Sequence, residues 1–241
     1  MTDLLRVTGA VREFGPDAGL FGLDLTVAPG EIHALAGLNG AGKTTLMRAV
    51  LGMLRPTSGT VHLGGIALND LPAEAWGRVG HLVDHPFAYP ELSTRQNLEL
   101  AARLRRVAAD QVAQIVTTGM ADLGITRYAA IRAARLSQGN RQRLGLTAAL
   151  QHRPRLVVLD EPTNALDPAG VIALREVLLA RAATGTGVLV SSHHLDEVAR
   201  IAHRISVLNH GQIVGALDPA TPDLERAFFH LLHADDEERG R

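Results

Sequence analysis

The chain has 241 residues, a length that suits one α/β domain with subdomains. Its formal net charge of −1 provides no overall field that would attract nucleic acid or an anionic membrane surface. Because the chain contains no cysteine, disulfides, thiolate zinc sites and thiol nucleophiles are excluded.

The N-terminal part of the sequence predicts β structure around one helix. Gly64 and Gly65 separate two short apolar runs and predict a hairpin. Residues 44–54 have helical character, and Pro56 follows them. The predicted strands of this part cover residues 4–8, 20–27, 31–36, 61–63 and 66–68.

The middle of the chain, residues 95–150, has an almost wholly helical pattern. Apolar or small residues recur there on one helical face and predict a helical subdomain over roughly residues 88–150. That face consists of Val112, Ile115, Val116, Gly119 and Leu123.

The C-terminal part alternates short apolar strands with helix, which is typical of parallel βαβ units. Its predicted strands cover residues 156–159, 188–191, 205–208 and 212–214, and a helix is expected over 171–181. The acidic run Asp235–Glu238 is predicted to form a solvated, frayed end. Together the patterns predict an α/β fold with a parallel-sheet core, an N-terminal β portion and a helical insert.

A glycine-rich segment lies between the predicted strand at 31–36 and the helix that follows it. It reads Gly37-Leu38-Asn39-Gly40-Ala41-Gly42-Lys43-Thr44-Thr45 and fits the pattern G-x-x-x-x-G-K-[ST]. Such glycines let successive backbone N–H groups surround phosphate oxygens at a helix N-terminus. We therefore expect Lys43 to reach the β and γ phosphates of ATP and the Thr44 hydroxyl to bind Mg²⁺.

Lys43 is the only lysine among the 24 lysine and arginine residues. In a chain so biased towards arginine, a lone lysine indicates a position where a compact ammonium group is required and a broad guanidinium is unsuitable. This observation favours the phosphate-binding interpretation over that of a glycine-rich turn that merely caps a helix.

Two adjacent acids, Asp160 and Glu161, follow a β-branched and leucine-rich run. A buried strand would deliver both at its carboxyl end, where open α/β sheets bind ligands. Asp160 suits the magnesium shell, directly or through water, and Glu161 suits the activation of an attacking water. The alternative is a pair of solvated acids at the end of a strand.

These motifs, in this order, resemble the ATP-binding cassette (ABC) family, the motor domains of membrane transporters. Gly37–Thr45 resembles the family's Walker A loop, and Leu156–Asp160 with Glu161 resembles its Walker B strand and catalytic glutamate. Asn164–Asp167 is similar to the D-loop, which implicates Asp167. The resemblance implies a P-loop NTPase of the ABC-ATPase fold over residues 1–241, with a parallel-sheet core, an N-terminal antiparallel β subdomain and a helical insert subdomain. It also implies that the chain acts as an ATPase with Mg²⁺.

Further segments of the family can be assigned by position. Ser191-Ser192-His193 resembles the switch segment, whose histidine contacts the γ-phosphate, and Phe14 stands where an aromatic ring stacks on adenine. A small core aromatic is the alternative for Phe14. A metal cluster is another interpretation of this segment, which contains His193, His194, Asp196 and Glu197. It is disfavoured because no matching set of ligands is found elsewhere in the sequence.

Two segments depart from the common family pattern. The signature, LSGGQ in the family, reads Leu136-Ser137-Gln138-Gly139-Asn140, and Asp84 stands where a glutamine is expected in the Q-loop. Some exporter cassettes resemble the Asp84 segment. Leu224–Phe228 resembles a tail seen in drug-export cassettes, and an amphipathic helix packed on the body is its alternative.

The resemblance also implies partners. Two cassettes, expected here to be a homodimer, would pack head to tail with each ATP between Walker A of one and the signature of the other. A separately encoded transmembrane permease would hold the protein at the inner face of the membrane and export a cargo, with no direct role for nucleic acid. The alternatives are a non-transport ABC ATPase acting on DNA or ribosomes, and a regulatory cassette with weak turnover.

Overall fold

The computed structural model describes residues 2–15 and 18–240. The strands are β1 (Leu5–Gly15), β2 (Ala18–Val27), β3 (Ile32–Ala36), β4 (Ser58–Leu63), β5 (Ile66–Ala67), β6 (Val79–Leu82), β7 (Leu156–Leu159), β8 (Gly187–Ser192), β9 (Arg204–Asn209) and β10 (Gln212–Leu217). The helices are α1 (Lys43–Val50), α2 (Thr94–Leu104), α3 (Val112–Asp122), α4 (Gln138–Leu150), α5 (Pro168–Ala183), α6 (Leu195–Ala199) and α7 (Leu224–Arg239). The chain divides into two compact units, the first from residues 1–71 with 187–241 and the second from Pro72–Thr186.

The first unit contains an antiparallel sheet in the order β2-β1-β4-β5. β1 pairs with β2 on one side and with β4 on the other. Gly64 and Gly65, at φ of 57° and 85°, make the turn between β4 and β5 in the left-handed region that glycine adopts without strain. The N-terminal antiparallel portion and its hairpin, both expected from the sequence, are confirmed.

The same unit also places four strands side by side in the order β10-β9-β3-β8. β3 runs parallel to both β8 and β9, and β10 pairs antiparallel with β9. All five residues of β3 are buried, as expected for a parallel strand that is covered on both faces. The glycine-rich segment therefore begins at the carboxyl end of a central, buried strand.

Helix α7 packs against β9 and β10 of the first unit. Its buried side chains, Leu224, Phe228 and Leu232, recur every four residues and form an apolar stripe on one face. The amphipathic helix considered from the sequence is therefore present. The expectation of a frayed acidic end is wrong, because Asp235–Glu238 lies within α7, and Asp235 and Asp236 accept hydrogen bonds from Asn209 at the end of β9.

The second unit combines a parallel strand pair with helices. β6 and β7 pair in the register Leu82↔Leu159. Helices α2, α3 and α4 share one apolar core, and a capping box between Ser93 and Gln96 begins α2. The core includes Leu98, Ala102, Val112, Val116, Met120, Ile125 and Leu144. The predicted face of α3 is confirmed except at Ile115, which is half-buried while Met120 is fully enclosed.

The second unit extends beyond the helical subdomain expected at roughly residues 88–150, because it also includes β6, β7 and α5. The interpretation of residues 1–241 as a single nucleotide-binding domain stays a prediction. In the described part of the chain, no helix combines the length and apolar character that crossing a bilayer requires.

Candidate functional site

The glycine-rich loop joins the carboxyl end of β3 to the N-terminus of α1. Gly40 and Gly42 adopt φ of 86° and 108°, which residues with a side chain rarely adopt. A Cβ at Gly37 would lie 2.5 Å from the carbonyl oxygen of Leu208, so the loop also needs glycine for close packing. The glycines thus allow the backbone of the loop to form a concave surface at the N-terminus of α1.

Lys43 is the first residue of α1 and is only 7% exposed. Its Nζ donates hydrogen bonds to the carbonyl oxygens of Gly37, at 2.6 Å, and Leu38, at 3.3 Å, so the ammonium group lies across the loop. The described first turn of α1 carries no acidic side chain, and its N-cap is Gly42. A positive helix end and an ammonium group therefore converge where an anion can bind.

The turn of the β9–β10 hairpin contacts the backbone of the glycine-rich loop. The Gly211 N–H donates to the carbonyl oxygen of Ala41 at 2.9 Å, and the Phe21 N–H donates to the carbonyl oxygen of Gly211 at 3.0 Å. A Cβ at Gly211 would lie 2.3 Å from the carbonyl oxygen of Gly19, which explains glycine in this turn. The sequence predicted both strands of this hairpin, at 205–208 and 212–214, but gave no sign of the contact between Gly211 and Ala41.

His193 lies close to the start of the loop. It follows β8, which is adjacent to β3, and it shares a cavity of about 400 Å³ with Gly37 and Leu38. Its ring lies 3.9 Å, centroid to centroid, from that of His194. The structure therefore brings together the loop and the histidine that the sequence assigned to γ-phosphate sensing.

Phe14 lies near the end of β1 in the same unit and is 57% exposed. The guanidinium carbon of Arg12 lies 5.3 Å from the centroid of its ring, a cation–π distance. An exposed ring of this kind is available for stacking on a base, whereas a core aromatic would be enclosed. The alternative interpretation of Phe14 as a core residue is therefore wrong.

In the second unit, acidic residues follow the carboxyl ends of β6 and β7. The Asp160 N–H donates to the carbonyl oxygen of Leu82 at 2.8 Å, which keeps the two strand ends in register. Asp84 and Glu161 have φ of 66° and 45°. Left-handed conformations of residues other than glycine are strained and concentrate at functional sites. Asp84 and Glu161 are therefore strained, and Asp160 lies beside them at the same edge of the strand pair, which is called the strained edge below.

The signature segment forms the start of α4. Ser137 is the exposed N-cap residue, and its hydroxyl accepts a hydrogen bond from the Asn140 N–H at 3.3 Å. A Cβ at Gly139 would lie 2.5 Å from the carbonyl oxygen of Ala165, so a side chain there would collide with the D-loop. The signature glycine is therefore required by contact with the segment at 164–167.

Two side chains of α4 bind the segment that follows Glu161. Gln142 donates to the carbonyl oxygen of Pro162 at 3.0 Å, and Arg143 forms an ion pair with Asp167. The Gly170 N–H first, and then Arg143, hold the pKa of Asp167 below its ordinary value. Gln142 and Arg143 lie just beyond the signature, after Arg141, but were not among the predicted site residues, because their partners are distant in sequence.

The residues predicted to bind a metal, Thr44 and Asp160, both offer oxygen atoms. Magnesium prefers oxygen ligands and is commonly bound by one or two protein groups together with substrate phosphates. Among residues 2–15 and 18–240, no group of three or more histidines and acids is arranged to hold a metal by itself. Each of the two residues offers the kind of oxygen that Mg²⁺ prefers beside nucleotide phosphates. Among the described residues, those around His193 form no metal cluster of their own.

The predicted site residues fall into two groups. Phe14, the loop Gly37–Thr45 and His193 belong to the first unit. The second unit holds Asp84, Leu136–Asn140, Asp160, Glu161 and Asp167. Within the first unit the structure brings His193 to the same cavity as Gly37 and Leu38. Within the second it brings the strand ends before Asp84 and Glu161 side by side.

Comparison with known proteins identifies relatives over most of the chain. The family model described as ABC transporter matches residues 20–164. The chain is 32% identical over 220 residues to the bacitracin transport ATP-binding protein BcrA of Bacillus licheniformis, covering 89% of this chain and 69% of that protein. It is 37% identical over 220 residues to the daunorubicin resistance ATP-binding protein DrrA3 of Streptomyces coeruleorubidus, covering 87% and 66% respectively.

A solved structure agrees with these relatives. The structure described as the ATP binding subunit of an ABC transporter superposes with a TM-score of 0.83 at 28% sequence identity. The match covers 95% of this chain and 94% of that one. The observed arrangement of antiparallel sheet, parallel strands and helices is therefore the arrangement of a known cassette.

Proposed function

This chain belongs to the ABC transporter family and is an ATPase of that family, and from that premise we propose that it powers export through a separate membrane protein. The observation that carries the proposal is the loop at Gly37–Thr45, where the Lys43 ammonium group and the N-terminus of α1 converge. A nest of this kind suits the β and γ phosphates of ATP. The proximity of His193 to the loop supports its role as γ-phosphate sensor.

Hydrolysis is assigned to the strained edge of the second unit. Glu161 accepts a proton from, or orients, the attacking water, and its left-handed backbone supports a functional constraint. Thr44 and Asp160 would hold Mg²⁺, which neutralises charge on the phosphates when bound. Asp84 stands where the family usually has a neutral glutamine. It is an exposed residue, and its carboxylate can accept hydrogen bonds from water or a partner.

The signature supports a head-to-tail homodimer. Ser137 is exposed at the N-terminus of α4, where hydroxyl and backbone N–H groups can face a phosphate of another chain. The Gln142 and Arg143 contacts hold this segment against the one that follows Glu161. In the dimer, each ATP would lie between the loop of one chain and Leu136–Asn140 of the other.

A membrane partner is supported by exposed aromatic residues just after Asp84. Phe87 is 78% exposed, and its ring packs edge-on against the half-exposed Tyr89 with centroids 5.1 Å apart. Exposed aromatic pairs of this kind are typical of protein interfaces. The export direction is supported by the names of the relatives, one concerned with bacitracin transport and one with daunorubicin resistance.

The proposal is tested by purifying the tagged chain from detergent-solubilised membranes of its own cell. A multispanning protein recovered in near-equal amount is the expected result, and a variant with Phe87 and Tyr89 changed to serine should recover much less of it. A second variant, Ile172→Ser, removes an exposed apolar residue elsewhere on the second unit and serves as the control. Recovery of ribosomes or DNA, or of no partner, would contradict the transport proposal.

A further inference from the structure

Helix α7 is tied to the β9–β10 hairpin by a polar network. Asn209, a buried residue just before the turn, donates from Nδ2 to Asp235 Oδ2 and to Asp236 Oδ1, both at 2.9 Å. Arg239 donates to Asp235 Oδ2 at 2.9 Å and to Gln212 Oε1 at 2.5 Å. A buried amide bonded to two carboxylates is costly to separate, so the last turns of α7 and the hairpin move together.

The hairpin turn in turn supports the phosphate-binding loop. The Gly211 N–H donates to the carbonyl oxygen of Ala41, in the middle of that loop. A Cβ at Gly42 would lie 3.3 Å from the Gly211 Cα, so the two backbones are in close contact. His210, at φ of 42°, holds a strained conformation in this turn. A shift of the turn would therefore displace the loop.

The first half of α7 borders the same site from another side. Phe228 and Phe229 line the cavity of about 400 Å³ that also contains Gly37, Leu38 and His193. Helix α7 thus borders the cavity at the start of the phosphate loop, and through Asn209 it is bonded to the hairpin that contacts the middle of the loop. These two relations link the position of α7 to the geometry of the loop.

We propose that α7 positions the phosphate loop and thereby sets the affinity for ATP. Asn209, Asp235 and Asp236 are the positioning residues, and they act through Gly211 on Ala41. The inference rests on the proposed function, since it requires that the loop bind ATP. A protein or ligand that moves α7 would accordingly change ATP affinity without contacting the nucleotide.

Two double variants on the same helix test the inference. The test variant, Asp235→Ala with Asp236→Ala, removes both acceptors of Asn209. The control variant, Glu237→Ala with Glu238→Ala, removes the same number of charges, and among the described residues neither glutamate is hydrogen-bonded to the hairpin. We expect the first pair to raise the KM for ATP about fivefold, with kcat changed less than about twofold, because loop geometry and not the chemical step is disturbed. The second pair should leave both constants unchanged.

The outcomes separate this inference from the proposed function. An equal KM in both double variants, or a fall in kcat at unchanged KM, would overturn the positioning role while leaving the ATPase assignment intact. A wild-type chain that binds no ATP would instead overturn the assignment itself. If the first double variant does not fold, Asp236→Ala alone carries the test, because this exposed helical position tolerates alanine, and we expect its KM to rise about twofold.

Discussion

Replacement of Lys43 by arginine keeps the positive charge of the loop and changes only its shape. The ammonium group is buried between the carbonyl oxygens of Gly37 and Leu38, at 2.6 and 3.3 Å. Gly37 is packed against β9, since an added Cβ there would lie 2.5 Å from the carbonyl oxygen of Leu208, so this end of the loop cannot move towards β9 to admit a guanidinium. We therefore expect the guanidinium of the Lys43→Arg variant to be displaced from the position that the ammonium group occupies.

The magnitude follows from the hydrogen bonds that the displaced charge can no longer make. A hydrogen bond to a charged group contributes about 1.5–3 kcal/mol, so misplacing one bond to a phosphate costs about 2 kcal/mol. Since about 1.4 kcal/mol corresponds to a tenfold change, the Kd for ATP in the Lys43→Arg variant should rise about 30-fold.

Titration calorimetry with Mg-ATP measures this change directly. The matched control is Arg55→Lys, which exchanges the same two residue types at an exposed position of the same unit. The control should bind ATP as the wild type does. A Lys43→Arg variant with wild-type affinity would show that the compact shape of the lysine is not what the loop requires.

Two further predictions concern the second unit. Gly139→Ala should strongly reduce ATP hydrolysis in a steady-state assay, because its Cβ would lie 2.5 Å from the Ala165 carbonyl oxygen, and wild-type turnover would contradict this. Burial, and then the charge of Arg105, lower the pKa of His81 and His152 to about 4, well below the usual 6.5. Because the unfolded chain binds these protons first, stability should fall as the pH drops below 6.5 towards 4, by about 2 kcal/mol per histidine at pH 5. Urea unfolding at pH 7 and pH 5 measures this loss of stability. A double variant His81→Asn, His152→Asn that loses as much stability as the wild type between the two pH values would show that the two histidines are not its cause.

The sequence was sufficient for the elements whose signals are local. β3 was predicted because its residues form a short apolar run, and the β4–β5 hairpin because two glycines separate its strands. The helix after the phosphate loop was predicted to reach Leu54 but ends at Val50. Its apolar pattern continues beyond that point, whereas the backbone turns at Gly52, with φ of 68°, which apolar periodicity does not reveal.

Features that depend on distant contacts could not be predicted. The acids at the end of α7 resemble a solvated tail in sequence, because their partner Asn209 precedes Asp235 by 26 residues. The contact of Gly211 with Ala41 likewise joins a turn to a loop far away in the chain. Motifs predicted which residues form the site, and only the fold showed which contacts support those residues.

The measurement that tests the central claim most directly is ATP turnover by the Glu161→Gln variant beside the wild type. If Glu161 activates the attacking water, the variant should bind ATP normally and hydrolyse it ~10²–10⁴-fold more slowly. The substitution keeps the size of the side chain and removes its charge, so retained ATP binding serves as the internal control for folding. Turnover close to that of the wild type would contradict the assignment of hydrolysis to this residue.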